Sequence, residues 1–327
     1  MTRTRFAAVL VVAAAGWVGA TVHAARSTPD VLPMRLADTG FDDLAKRPFT
    51  PQYPLWSDGL QKKRWVYLPP GTAIDASDPN NWEFPVGTRF WKEFSRDGRR
   101  IETRMIWKAA ADRWLFATYV WNDEGTDAVL APEEGIRSVA ELAPGKRHSI
   151  PSRHDCTACH GTHGVRPLGF NALQLSTDRD PNAIHGEPLG PGMLTLEELV
   201  TGPQPRIRTA NPATRAVLGY FAANCGPCHN GRGEISALGP VIKYEALLRN
   251  GDEVARSLVG QLTRWQLPGQ ADGTTVLVQP GAPDQSAIVG RMRSRSPSSQ
   301  MPPLGTVLRD QQAIDAISQW IATIEGK

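Results

Sequence analysis

The chain has 327 residues, 41% hydrophobic and 21% charged, with 30 Gly, 27 Pro, 10 Trp and 4 Cys. That balance excludes a disordered, collagenous or coiled-coil chain and fits a globular protein of more than one domain. The formal charge of +3 is spread without a long basic block, so there is no electrostatic footprint for nucleic acid.

Residues 1–25 read MTRTRFAAVLVVAAAGWVGATVHAA. Arg3 and Arg5 form a basic start, an uncharged run covers 6–22, and Val22 and Ala24 supply the small residues of a cleavage site. This is the pattern of a secretory signal peptide, residues 1–24, cleaved after Ala24. An uncleaved anchor is the alternative, because the run is near the lower limit for spanning a bilayer. No cysteine follows the cleavage site, which leaves a lipid anchor unsupported, and no later apolar run is long enough to span. Cleavage removes Arg3 and Arg5 and leaves 34 basic against 33 acidic residues. The expected location is the periplasm, without stable membrane insertion once the signal is removed.

Residues 25–140 are predicted to form an antiparallel β-rich module. Short β-like runs lie at 64–68, 88–94, 100–108 and 114–121, separated by turn signals such as Pro69-Pro70-Gly71, Pro85-Val86-Gly87 and Asp97-Gly98. In the third run Ile101, Thr103, Met105 and Trp107 alternate with Glu102, Arg104 and Lys108, the period of a half-buried strand. Seven tryptophans fall between Trp56 and Trp121. Aromatic residues on strands are more often core than a ligand face, and the acidic and histidine residues here form no metal or acid–base pattern.

A Pro/Gly-bearing passage follows, with Ala131-Pro132-Glu133-Glu134-Gly135 and Ala143-Pro144-Gly145-Lys146, and reads as a linker. Thr195 with Glu198 three residues on makes a capping box opening a short helix. Asn211-Pro212 gives an N-cap and a first-turn proline for a helix whose stripe of Ala213, Ala216, Val217, Tyr220 and Phe221 runs into Cys225. Asp310 caps a terminal helix bearing Ala313, Ile314, Ile317, Trp320, Ile321 and Ile324 on one face. The predicted fold class is therefore α+β, a β-rich N-terminal module followed by mostly α-helical domains at 141–208 and 209–327.

All four cysteines fall in two copies of one pentapeptide, Cys156-Thr157-Ala158-Cys159-His160 and Cys225-Gly226-Pro227-Cys228-His229. Cys-x-x-Cys-His is the attachment sequence for c-type haem. Two thiols one helical turn apart add to the vinyl groups of one porphyrin, and the next residue presents an imidazole to the iron. The predicted cofactors are thus two covalently attached c-type haems, with His160 and His229 as iron ligands. A zinc site is disfavoured by the 69-residue gap between the motifs and by the two unexplained histidines. Disulfides suit an exported protein, but a thioredoxin-like pair wants a βαβ context that neither motif has.

Met301, 72 residues after His229 and followed by Pro302-Pro303, is the expected second ligand of the C-terminal iron. Met292 competes, although Arg291 and Arg293 beside it read as a charged helix surface; the Arg291/Arg293/Arg295 run is expected to be a solvated helix face, with haem propionates or an acidic redox partner as the alternative. For the first iron the choice falls on Met193, 33 residues after His160, with His185 or an open position as alternatives. His163 lies one turn from His160 and is expected at the surface. Pro167-Leu168-Gly169 and Leu238-Gly239-Pro240 are placed to give a carbonyl to each proximal histidine.

From Asn211 to the end, about 115 residues, the chain resembles the mono-haem cytochrome c family. The resemblance rests on Asn224-Cys225-Gly226-Pro227-Cys228-His229, Met301-Pro302-Pro303 and Trp320-Ile321, and implies an all-α haem domain with His229/Met301 ligation. Residues 244–276 are more than a minimal cytochrome needs and read as an insertion with short strands. Ser152 through Asn171, with Trp82-Glu83-Phe84-Pro85-Val86-Gly87-Thr88 upstream, is similar to a group of exported dihaem c-type cytochromes with a β-rich N-terminal part.

Three functions stand against one another. One is electron transfer between redox partner proteins through two saturated haems. Another is a dihaem oxidoreductase with an open first iron; in dihaem peroxidases the motifs lie much further apart than here. A third, compatible with the first, has the β module docking a partner while the haems wire it to a chain. The sequence favours a carrier over a catalyst.

Overall fold

The alternation that begins at Ile101 belongs to the central strand of a six-stranded sheet. The computed structural model describes residues 31–78, 81–161, 167–231 and 239–326; the signal segment, His163 and Leu238 lie outside them. The strands are β1 (Arg47–Pro48), β2 (Gln61–Tyr67), β3 (Arg89–Arg96), β4 (Arg99–Lys108), β5 (Trp114–Trp121) and β6 (Ala128–Leu130). They run antiparallel in chain order, a plain meander. Asp97 and Gly98, both at positive φ (50° and 80°), make the tight turn between β3 and β4.

Each face of this sheet is covered. On one, Trp91, Met105, Ala117 and Tyr119 pack under Leu32, Leu36 and Phe41. On the other, Val66, Phe90 and Ile106 meet Trp82, Phe84, Phe170 and Leu194. The expectation of a half-buried β4 is therefore corrected, since Glu102 is wholly buried: later chain folds back over the face that alternation assigns to solvent. The tryptophans serve mainly as core, with Trp82, Trp91 and Trp107 all buried.

The expected linker contains a hairpin, β7 (Ile136–Ala143) and β8 (Lys146–Ile150), antiparallel to one another. Pro144-Gly145 is its turn, with Gly145 at a φ of 70°, so the breaker residues mark a reversal within a sheet.

Helices follow: α1 (Arg153–His160), α2 (Ala172–Leu175), α3 (Pro212–Asn224), α4 (Tyr244–Leu258), α5 (Ala287–Arg293) and α6 (Gln311–Ala322). Asn211 accepts from Thr214 N and Asp310 from Ala313 N, each at 3.1 Å, as the capping signals require. Thr195 and Glu198 form the expected box around one short 3-10 turn. The 244–276 segment begins with α4, and isolated bridges, Val259 to Val278, Leu262 to Val276 and Val276 to Ser286, answer the expected strands. None of the helices among the described residues is long and apolar enough to cross a membrane.

The helical core gathers Val217, Leu218 and Phe221 of α3, Leu247 of α4, Val289 of α5 and Ile314, Ile317 and Ile321 of α6. Trp320 stands edge-on to Phe221 at 6.3 Å and donates its indole N–H to Thr214 at 3.1 Å. Tyr53, from the stretch between β1 and β2, belongs to this same core. Its hydroxyl donates to Asp180 at 3.1 Å and its backbone N–H to Gln174 at 2.9 Å. Glycine at 219 in mid-α3 makes room for it, because a Cβ there would lie 2.0 Å from Tyr53 Cε1. Val31 to Lys327 consequently form one unit.

In an isolated helix Gly219→Ala would gain about 1 kcal/mol. Here the clash with Tyr53 reverses the sign, and the substitution is expected to cost about 3 kcal/mol in urea unfolding. Adding Tyr53→Ala to Gly219→Ala should then recover stability relative to Tyr53→Ala alone.

Candidate functional site

The first pentapeptide occupies the last two turns of α1. Ser152 caps this helix: its Oγ accepts from Asp155 N at 3.1 Å, and Ser152 N donates back to the Asp155 carboxylate at 3.0 Å. The helix lies against β5, and the His160 ring centroid is 5.6 Å from that of Phe116. Cys156 and Cys159 both sit half-buried, one turn apart.

The second pentapeptide turns off the end of α3. Cys225 N and Gly226 N both donate to Phe221 O, at 2.9 and 2.8 Å, and His229 N closes back onto Cys225 O at 2.8 Å. Asn224 fixes the approach by accepting from Trp56 N at 2.7 Å and donating to Tyr220 O at 3.1 Å. His229 O takes Ile242 N at 2.7 Å. Gly239, at a φ of 90°, backs onto the imidazole, where a Cβ would come 3.1 Å from Cε1.

Folding brings these two motifs, 69 residues apart in sequence, face to face. The Cys159 and Cys228 thiols share a hydrogen bond, which raises the Cys159 pKa and lowers that of Cys228. Burial pushes the Cys225 thiol up to about 12 and the Cys156 thiol upward, against the pull of Arg104. Between the motifs lies a cleft of about 80 Å³, walled by Cys159 and His160 from the first, Gly226 and Pro227 from the second, and Trp82, Phe84 and Phe170. Asn171, Asn230, Lys243, Tyr244 and Glu245 also line the wall, so apolar rings and convergent polar groups meet in one concave site, the form in which a ligand is held. No three His, Cys, Asp or Glu side chains among the described residues converge as a metal-binding group.

Neither methionine named from sequence lines this cleft. The Met301 loop is clamped from α5: Met301 N donates to Arg291 O at 3.0 Å, Arg291 Nε to Ser299 O at 3.1 Å, and Arg295 to Met292 O at 2.6 Å. Arg291 and Arg295 are thus half-buried struts, which corrects their expected role as a solvated face; Arg293 alone pairs outward, with Asp284. Met292 is in the helical core at 6% exposure. Met193 places its sulfur 4.0 Å from the Thr50 hydroxyl. His185 stacks on Trp56 at 5.0 Å and gives its Nε2 to Asp310 at 2.8 Å, so that nitrogen is committed.

Two features were invisible in sequence. Asp58, almost fully buried, accepts from Val307 N and Leu308 N at 3.0 and 2.8 Å and so anchors the far end of the Met301 loop to the β module. The other is a buried cluster: Glu102 accepts from Arg104 at 2.6 and 3.1 Å and meets His148 Nε2 at 2.8 Å. The only sequence signal for it is a carboxylate and a guanidinium two residues apart on one strand face.

Burial works to raise the Glu102 pKa, but Arg104 and His148 outweigh it and hold the carboxyl at about 2, below the ordinary 4.5. Its contribution is therefore complete above pH 4.5 and lost as pH falls toward 2. Glu102→Gln should cost about 3 kcal/mol at neutral pH and flatten the acid limb of stability in denaturant titrations. No family model, curated protein or solved structure matches the chain.

Proposed function

We propose that this protein is an exported, periplasmic dihaem c-type cytochrome that transfers electrons between redox partner proteins. One observation carries the reading: the two Cys-x-x-Cys-His pentapeptides, which use every cysteine of the chain, meet across a single cleft. The fit is supported from both sides. Each thiol pair spans one turn, suited to adding S–H across two vinyl bonds of one porphyrin with no change of oxidation state. Gly239 leaves a flat approach to the His229 ring that a side chain would fill.

Bound haem supplies a one-electron Fe(III)/Fe(II) couple. The chain's part is to hold and shield it. His160 and His229 are the proximal ligands, Trp82, Phe84 and Phe170 keep water from the cleft, and the neighbouring Cys159 and Cys228 bring the two tethers together, which favours passage from one haem to the other. Met301 is the second ligand proposed at His229, steadied by Arg291, Arg295 and Asp58. Met193 holds the same place at His160. A one-electron donor protein and a one-electron acceptor protein complete the balance.

The commitment of His185 Nε2 to Asp310 favours a second reading, a haem oxidoreductase whose first iron keeps an open position.

Purified protein should give an alkaline pyridine spectrum of two covalent haems per chain, falling to one in Cys225→Ala/Cys228→Ala; fewer than two in the parent overturns the proposal. Met301→Ala should abolish the weak near-infrared sulfur-to-iron band of one haem. Carbon monoxide binding to the reduced protein separates the readings, since it requires an open iron.

A further inference from the structure

The sheet face turned toward the pentapeptides carries an unusual row. Arg64 of β2, Lys92 of β3 and Arg104 of β4 stand directly opposite one another in the ladder. Side chains so paired lie about 5 Å apart at Cβ, and like charges there repel. Lys62 adds a fourth cation two residues along the same face, its Nζ turned to Leu55 O at 2.7 Å.

Compensation is thin. Glu102 is the one carboxylate within the row, and Arg104 and His148 already occupy it. Glu187 acts on Lys62 and Arg64 only at longer range. The Phe94 ring takes Lys92 at 4.7 Å and Arg104 at 4.5 Å on its face, a partial offset. Arg64 is 5% exposed, and its Nη2 is buried with no hydrogen-bond partner among the described residues. A guanidinium in that state costs stability unless an anion meets it.

The row also opens in the right direction. Arg64 and Lys92 line a second, small hollow of about 20 Å³ whose walls include Leu168, Gly169, Pro227 and Tyr244, all four shared with the cleft between the motifs. Arg104 lies within the electrostatic reach of Cys156 and Cys159.

We infer that the Arg64–Lys92–Arg104 row is a carboxylate-binding site, and that its occupants are the propionate groups of a haem tethered at these motifs. The inference rests on the dihaem reading. It assigns the β-rich module a direct part in the redox centre: its cations neutralise the cofactor's acidic edge and raise the potential of the iron, because positive charge favours the reduced, less positive state. Burial, as the largest cause, pushes Lys62 down to about 8 and Arg64 to about 10, and Lys92 well below its ordinary value; neighbouring cations add to the shift of both lysines, and the pull of Glu187 on Lys62 and Arg64 and of Glu102 on Lys92 does not offset it. The row is short of negative charge.

The test is a spectroscopic redox titration of the full haem-loaded protein. Arg64→Gln/Lys92→Gln should shift one haem toward the oxidised form by about tenfold, a fall of about 59 mV for a one-electron couple. Arg64→Lys should stay near the parent, and so should Lys63→Gln, which removes an exposed charge from the opposite face. If Arg64→Gln does not accumulate, Lys92→Gln alone carries the comparison, with a smaller fall in the same direction. Two covalent haems with potentials unchanged in these variants would overturn the inference and leave the dihaem reading standing. Saturable calorimetric binding of succinate to the parent, lost in Lys92→Gln while potentials hold, would assign the row to free carboxylates instead. Absence of covalent haem would sink both.

Discussion

The architecture depends on a strap, residues 50–58, that leaves the sheet, crosses the helical core and returns. Tyr53 seats against Gly219 of α3. Gln52 exchanges hydrogen bonds with the 173–180 stretch, accepting from Asp180 N at 3.1 Å and donating its own N–H to Gln174 O at 3.0 Å. Trp56 ties to Asn224, the residue before Cys225, and Asp58 to the loop beyond Met301. Trp56 and Asp58 thus reference the approach to the second pentapeptide and the far end of the Met301 loop to the β module, while α5 clamps that loop at Met301 itself. The bonds of Gln52 and Tyr53 are buried, so each partner lost there would leave a desolvated group behind and cost far more than the bond contributes in place. Such a strap specifies one relative position of sheet and helices, where apolar packing alone tolerates slippage.

The inner face of the sheet has a corresponding division. Val66, Phe90 and Ile106 make one apolar row, the charged row lies beside it, and beyond that Phe94 stands between Lys62 and Glu102. Replacing these cations with aliphatic residues would give a more ordinary sandwich. Their retention beside the cysteine motifs links the sheet's chemistry to the cleft, and Glu102 with His148 keeps the end nearest β8 neutralised.

Local signals carried much of this into view. The caps at Asn211 and Asp310, the Thr195–Glu198 box and the positions of the four main strands follow from residue spacing alone, because each is decided within one or two turns of chain. The pentapeptides are equally legible. What escaped is whatever depends on distant partners. The alternation of β4 reads as one wet face, yet Glu102 and Lys108 are buried, Glu102 against His148 of β8. The passage 131–146 contains loop residues, yet forms a hairpin whose turn is only two of them. Arg291 and Arg295 read as surface charges, since nothing in their neighbourhood announces the carbonyls of Ser299 and Met292 that they brace. Asp58 gives no sign that its partners lie about 250 residues away.

Those long separations bear on the order of events as the chain folds. The strap joins residues 121 apart at Leu173 and 250 apart at Leu308, and contacts of such span form late, after the local helices and hairpins. A chain that emerges from its N-terminus delivers the sheet first, and the face of Val66, Phe90 and Ile106 waits bare until Phe170 and Leu194 arrive. All four thiols stay half-buried in the finished fold, and what the strap adds is the hold of Trp56 N on Asn224, the residue before Cys225. Lateness of the long-range contacts is thus a window in time, in which the second pentapeptide is not yet fixed against the β module.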